Sequence, residues 1–528
     1  MNSLKKIFTR EYKSEFWFTV SFTAVATLGI IFVIYQLPLD PDLGWHLKEG
    51  ELILKLHQLP QASWYTYSLP NFPYVAHEAF LSIVIYIGQK LIGVGPLTII
   101  FALITVFTFV FVAGKSSLNE VSLRHRFFSA FLISPILAAF FGIRPIVVGW
   151  LLMSTLVLLV NQVRITNNTK KVYFIPLLIL VWANLHASFI IGIIYLGSIL
   201  VTEGLKASYF KSGKPDSIFL KKAVSLDFIT WKKILWIFLI SLGLTFVNPY
   251  GVSLYREMWQ TISDPFVNQS IGEFLATSFQ STMGYMIFIY LWALLEFIYL
   301  QTQKKLDFTD FILFIMFLFL ALHSVYYIPL FIIVTFPFFL SSTKFIYDNI
   351  IDPVFRHIIG FWGFSCLILA SIASSSNLLY AIPLSFSLEQ SQSQYYPAGA
   401  VEYLKRNPGL GNLYNEYNWG GYLIQNLSQY KTFINGIMPH WRIENRTSEN
   451  KKNDPLSKLF GGNFETILED ATKIGTLTRD WDKKLEEYKI GVFLIYGDSI
   501  LDYELSRSTQ WKELYRDNGA VIYAKNKK

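Results

Sequence analysis

The chain has 528 residues, of which 53% are hydrophobic and 16% charged, including 46 Phe, 30 Tyr and 14 Trp. Such a composition is too apolar for one soluble core and reads as a polytopic α-helical membrane protein. The formal charge of +8 does not indicate nucleic acid, because Lys and Arg fall mainly in short loops between apolar runs, where they orient helices. The single cysteine, Cys366, excludes an intrachain disulfide and a cysteine metal site.

Crossing a bilayer takes about 20 apolar residues. Residues 15 to 36 are too long and too aromatic for a signal-peptide core and lack a small-residue cleavage site, so Phe16–Tyr35 is expected to be a first span. Further spans are expected over Leu97–Ala113, Phe127–Ile143, Val147–Val163, Val172–Leu185, Phe189–Leu205, Ile234–Val247, Met283–Leu300, Phe308–Leu322, Val325–Leu340 and Ile358–Ile372. Lys5, Lys6, Arg10 and Lys13 place the N-terminus in the cytoplasm and the first loop, residues 37–94, outside. Ala79–Val94 is apolar but interrupted by Gln89, Lys90 and glycines. Laying it in the outer interface puts Lys115–Arg126, Arg164–Lys171, Lys206–Lys233, Lys304–Lys305 and Lys344–Arg356 all on the cytoplasmic side. About eleven spans then bring everything after Ser374 to the outer face.

The expected division is a transmembrane domain over 1–374, a linker over 375–393 with a hinge near Ser371–Asn377, and an extracytoplasmic α/β domain over 394–528. In that tail Val492–Tyr496 and Ala520–Ala524 read as strands, and Ala398–Lys405, Phe464–Thr472 and Trp481–Tyr488 as helices.

This topology gathers the unusual polar residues on the outer side: Asp40, Asp42, His46, His77 and Glu78 in the first loop, Arg144 before Pro145, Asn184 and His186 after Trp182, Glu273, and His323. Charged groups pinned at a membrane boundary suggest chemistry at its surface. Asp40 and Asp42 are the leading candidates, as a carboxylate there could take a proton from a hydroxyl nucleophile; an Asp-Pro-Asp turn could also simply cap the helix that starts near Leu43. His46 falls on the face of Asp42 if that segment is helical. A divalent cation between Asp and His stays open, since these residues form no specific ligand signature. Arg144 could hold a lipid phosphate or snorkel to headgroups. His186 and Asn184 could take part in catalysis or hydrogen-bond at the interface. Asn248-Pro249-Tyr250-Gly251 reads as a helix terminator.

An N-terminal span, an outer acidic motif, Trp45-His46-Leu47-Lys48-Glu49-Gly50, and an interfacial helix introduced by His77-Glu78 resemble polytopic glycosyltransferases of the GT-C superfamily. The pattern continues through Arg144-Pro145, Trp182 to His186, Asn248 to Gly251, Asn415 to Leu423 and Ile434-Asn435-Gly436. The resemblance implies a bacterial inner-membrane enzyme that moves a sugar from a polyprenyl-phosphate donor to a glycan, lipid or protein acceptor with inversion. Asp42 or Asp40 would be the base, Arg144 and His186 would hold the departing phosphate, and His46, His77, Glu78, Asn184, Glu273 and His323 would support them. Tyr74-Val75-Ala76-His77-Glu78 stands where protein mannosyltransferases have His-Pro-Pro, so neither their acceptor nor their mannosyl donor carries over. Trp419, Tyr422 and Trp441 could stack on sugar rings or be buried in the tail. A lipid-linked glycan ligase could use similar parts. A transporter or scaffold is the non-catalytic alternative, although no paired midplane charges or repeated halves are present.

Overall fold

The computed structural model of the protein describes residues 18–24, 26–27, 40–116, 121–213, 225–301, 307–353, 395–447, 464–478 and 480–526. Most of the expected span Phe16–Tyr35, all of Ile358–Ile372 with Cys366, the hinge Ser371–Asn377 and the linker 375–393 lie outside the described residues.

The helices follow the apolar runs closely. After α1 (Leu43–Leu56) and α2 (Ala79–Ile92) come α3 (Val94–Phe107), α4 (Leu123–Ala138), α5 (Pro145–Thr166), α6 (Ile175–Ala183) and α7 (Phe189–Lys211). They are followed by α8 (Phe228–Leu244), α9 (Val252–Ser263), α10 (Thr282–Gln301), α11 (Phe308–His323) and α12 (Ile328–Ile346). Among the described residues four continuous helical stretches are long and apolar enough to cross a membrane: Val94–Lys115, Pro145–Thr166, Phe189–Lys211 and Val325–Asn349. The other expected spans that fall within the described residues are shorter as continuous apolar helices. Val172–Leu185, for example, starts as a 3₁₀ turn over Thr169–Phe174 and becomes α-helical at Ile175, where Pro176 favours helix initiation. On α2 the exposed residues Phe80, Val84, Ile87 and Leu91 form one stripe at helical spacing, while Ser82 and Ile85 face inward.

Helix α5 carries an arginine at each end, Arg144 and Arg164, roughly 30 Å apart at 1.5 Å per residue. Near its C-terminal end Arg164 pairs with Glu203 (3.1 Å) and Asp307 (2.7 Å) and with Asp310, and Lys206 pairs with Glu203 (2.9 Å) and Asp307 (2.8 Å). These five side chains are buried, and their mutual pairing is what makes that burial tolerable. At the other end, Arg144 is the N-cap of α5 and faces the first loop.

The tail is an α/β domain. Helix α13 (Ala398–Arg406), β1 (Asn412–Asn415), α14 (Gly420–Asn426), β2 (Arg442–Thr447), β3 (Phe464–Thr466), α15 (Ile467–Gly475), α16 (Trp481–Glu487), β4 (Ile490–Tyr496), α17 (Ile500–Arg507), β5 (Trp511–Arg516) and β6 (Ala520–Lys525) follow in order. Four strands form one sheet in the order β1-β4-β6-β5, with β1 parallel to β4 and the rest antiparallel. Alternation along β4 sorts its side chains: Val492 and Leu494 pack with Leu404 and Leu423, and Phe493 and Ile495 with Ile474 and Leu501. Trp419 and Tyr422 belong to that core. The expected helix Phe464–Thr472 divides differently. Phe464–Thr466 is a strand, and the helix begins at Ile467 because Thr466 and Glu469 close a reciprocal capping box.

The first loop and the tail share one apolar core. Ile53, Tyr74, Ala76 and Ala79 are packed with Phe433, Ile434, Met438 and Trp441, and Phe72 stacks on Trp441 at 4.7 Å between centroids. Thr66 and Ser68 donate to the carbonyl oxygens of Thr432 and Phe433 at 2.9 and 2.6 Å. The tail is thereby seated directly on the Asp40–Glu78 segment.

Candidate active site

The Asp40-Pro41-Asp42 turn is built from its own carboxylates. Asp40 Oδ1 accepts the Asp42 N–H at 2.8 Å, and the Asp40 carbonyl oxygen accepts the Leu43 N–H at 3.1 Å. Asp42 occupies the N-cap of α1 without capping it through its side chain. Its Oδ1 instead accepts from Trp45 Nε1 at 2.9 Å, leaving Oδ2 toward Arg144. The turn is held from the tail: a Cβ at Gly436 would collide with Asp42 Oδ1, so the Ile434-Asn435-Gly436 motif is a seat for that carboxylate. Gly44 and Gly421 meet backbone to backbone in the same way.

Arg144 joins three carboxylates. Its Nε lies 3.2 Å from Asp40 Oδ2 and its Nη2 3.6 Å from Asp42 Oδ2, while Nη1 and Nη2 donate to the two oxygens of Glu273. The guanidinium fork thus grips Glu273 in the bidentate manner it would use for a phosphate. Burial together with the Asp40 charge pushes the Asp42 carboxyl up to about 7, against the opposing pull of Arg144 and Trp45. Burial also raises Asp40. Two carboxylates this close release protons as a pair, and one of them is ready to accept a proton near neutral pH.

A second cluster centres on Glu78. His186 Nε2 lies 3.1 Å from Glu78 Oε1, His77 Nε2 3.8 Å from the same oxygen, and His46 Nε2 3.7 Å from Oε2. Burial opposes charge on Glu78, but the His186 hydrogen bond and the surrounding imidazoles outweigh it and hold the carboxyl well below its ordinary range. The His186 tautomer follows from its partners. Nδ1 accepts the Ser188 N–H at 3.0 Å, so the ring proton sits on Nε2 and points at Glu78.

Both clusters line a cavity of about 250 Å³. Asp42, Glu78, Arg144, Glu273, His46, His77 and His186 form its polar part, and Ile190, Ile191, Met258 and Ile262 its apolar part. Eight of the ten residues expected at the site therefore meet, counting Asp40 through its contact with Arg144. The other two do not. Asn184 turns its amide to the carbonyl oxygens of Leu180 and Val247 (both 2.9 Å) and lines a separate small pocket with Asn248 and Pro249. His323 is exposed and stacks on Phe319. Lying at the same end of the bundle did not suffice to bring either into the cavity.

Sequence reasoning missed Glu257 and His440. They form a buried pair at 2.7 Å on the cavity wall, one from α9 and one from the tail. Burial would raise the Glu257 carboxyl, but His440 more than offsets it and lowers it. Tyr326 and Tyr417 also face the cavity. Trp441 is buried against Phe72. Among the described residues no group of three or more His, Cys, Asp or Glu side chains is arranged to hold a metal ion.

No family model matches the sequence, and no curated protein matches it. Among solved structures the chain is similar to the crystal structure of ArnT from Cupriavidus metallidurans bound to undecaprenyl phosphate. The two are 13% identical with a TM-score of 0.40, over 96% of this chain and 97% of that one.

Proposed function

We propose that the protein is a membrane glycosyltransferase that transfers a sugar from a polyprenyl-phosphate donor to a hydroxyl acceptor at the outer face of a bacterial inner membrane. The observation that carries this reading is the convergence of Asp40, Asp42, Arg144 and Glu273 beside a cavity that also has an apolar stretch of lining, Ile190, Ile191, Met258 and Ile262. Such a lining suits a ligand with an anionic head and a hydrocarbon tail. In this reading the N-terminus is cytoplasmic and the tail extracytoplasmic.

The chemistry is displacement at the anomeric carbon with inversion. Asp42, or Asp40 paired with it, removes the acceptor hydroxyl proton as the oxygen attacks. The bond to the lipid phosphate breaks, and Arg144 stabilises the charge left on the phosphate. To do so Arg144 must exchange Glu273, the most exposed of its partners at 39%. His186 has its Nε2–H committed to Glu78, so it contributes by fixing that carboxylate beside the phosphate position. A divalent cation would ease the excess of carboxylates over cations, and its requirement is tested by chelation.

The deciding experiment incubates the chain in nanodiscs with a set of radiolabelled polyprenyl-phosphate monosaccharides and follows release of the free lipid phosphate. Release that is lost in Asp42→Asn supports the reading. Turnover of preassembled lipid-linked oligosaccharide only would assign the protein as a ligase instead.

A further inference from the structure

Glu49 is a buried carboxylate that the chemistry above does not use. It sits on α1, one turn beyond His46, and is fully buried. Tyr74 O–H donates to Glu49 Oε2 at 2.7 Å, and Ser82 Oγ lies 3.0 Å from Oε1. Ser82 Oγ is also 2.9 Å from His46 Nδ1. The three side chains meet because α1 and α2 touch at Gly50, where a Cβ would collide with the Ser82 carbonyl oxygen. Among the described residues no cation forms an ion pair with Glu49.

Proton accounting allows two arrangements of this chain. Ser82 has a single hydroxyl proton. If Glu49 is ionised, Ser82 donates to it and must accept from His46, whose proton is then on Nδ1. His46 Nε2 is left bare beside Glu78 in the cavity. If Glu49 is protonated, it donates to Ser82, Ser82 donates to His46 Nδ1, and the His46 proton is on Nε2, directed at the Glu78 carboxylate. The two arrangements differ by one proton, and in neither is the imidazole charged.

We propose that Glu49, Ser82 and His46 form a proton relay, in which a proton reaching His46 Nε2 from the cavity is stored on Glu49. The proton that Asp42 has taken from the acceptor hydroxyl leaves the Asp42 carboxyl and joins Nε2; the Nδ1 proton passes to Ser82 Oγ as the Ser82 proton passes to Glu49 Oε1. One proton enters, one carboxylate is neutralised, and no buried imidazolium forms. The assignment of Asp42 as the proton's source rests on the proposed glycosyl transfer; the coupling of Glu49 to the His46 tautomer does not.

Burial opposes charge at both ends of the relay. It pushes Glu49 up to about 7, against the hydrogen bonds from Tyr74 and Ser82, and takes His46 down to about 3. Tyr65, Tyr74, Tyr250 and Glu78 face Glu49, and Glu78, His77, His186 and Arg144 face His46. Helix α14, packed on α1, has the sequence Gly-Gly-Tyr-Leu-Ile-Gln-Asn and brings neither a carboxylate, an imidazole nor a cation.

The test uses the full chain in nanodiscs with two spectroscopic readouts. Infrared spectra should show a protonated-carboxyl C=O stretch that is missing in Glu49→Gln and fades as pH rises through about 7. Over the same range, ¹⁵N shifts of His46 should move from the Nε2–H to the Nδ1–H tautomer. Glu49→Gln, whose amide can still donate to Ser82, should lock Nε2–H at every pH. Ser82→Ala should keep the infrared titration but uncouple the His46 tautomer from it. A His46 tautomer that ignores Glu49 in the unaltered chain, or coupling that survives Ser82→Ala, overturns the relay. In transfer assays Glu49→Gln should lower kcat by about a hundredfold with little change in KM. Spectroscopic coupling in a chain that transfers no sugar would overturn the glycosyltransferase reading and leave the relay standing.

Discussion

In the proposed reaction Glu273 is the side chain that a lipid phosphate displaces, and its replacement by Gln gives a prediction with a definite sign. In the folded protein its carboxylate fills the Arg144 fork, and Asp40 and Asp42 approach the same guanidinium from the other side. At 39% exposure the Arg144–Glu273 pair is discounted by solvent to about 1 kcal/mol. Repulsion between that carboxylate and an incoming phosphate adds about 1 kcal/mol at contact distance in a water-like surround. Glu273→Gln removes both terms, so the affinity for undecaprenyl phosphate should rise by about 2 kcal/mol, roughly thirtyfold in Kd. Titration of the nanodisc-embedded protein by calorimetry reads this directly, with Arg144→Ala expected to abolish binding. An unchanged or weaker Kd in a folded Glu273→Gln variant would refute the claim that Glu273 occupies the phosphate position.

Four other outcomes are expected. Because the Asp42 carboxyl is raised to about 7, its base form exists above that pH. The kcat of transfer should therefore climb as pH rises through about 7, and Asp42→Asn should remove that limb along with most of the activity. The same raised value means that ionisation burdens the fold, so the thermal midpoint should fall as pH rises through about 7, and less so in Asp42→Asn. Gly436→Ala forces a methyl group onto Asp42 Oδ1 and should abolish transfer while lowering stability by only about 1–3 kcal/mol, read by comparing activity with the unfolding midpoint. Arg164→Met strands Asp310 and leaves Glu203 and Asp307 to Lys206 alone, and should destabilise the bundle by about 3–5 kcal/mol without weakening lipid-phosphate binding by the protein that remains folded.

The helical framework was legible because apolar run length and loop charge are strong local signals, and nine of the expected spans correspond to helices between α3 and α12. Asp40, Asp42 and Arg144 were legible as charges at helix ends. Glu257 was not, because on the strongly amphipathic α9 it reads as one more solvated residue. His440 lies far along the chain from every residue it helps to enclose, and no spacing rule links it to Glu257. Glu49 had a faint signal, one helical turn from His46, but nothing in the sequence places Ser82 between them. Asn184 and His323 show the opposite failure. Side-of-membrane logic grouped them with the other polar residues but could not tell which way a side chain turns, and backbone carbonyls claimed the Asn184 amide.

The seating of Asp42 on Gly436 imposes a schedule on biosynthesis. The acidic turn leaves the ribosome early, but the glycine that holds its carboxylate follows about 400 residues later, some 20 to 80 s at ordinary elongation rates. Through that interval the helical bundle can insert and its far-end ion network can close, yet the cavity has one wall missing. A chain stopped anywhere before the tail would lack an assembled centre, so the proposed activity would wait on synthesis of the tail.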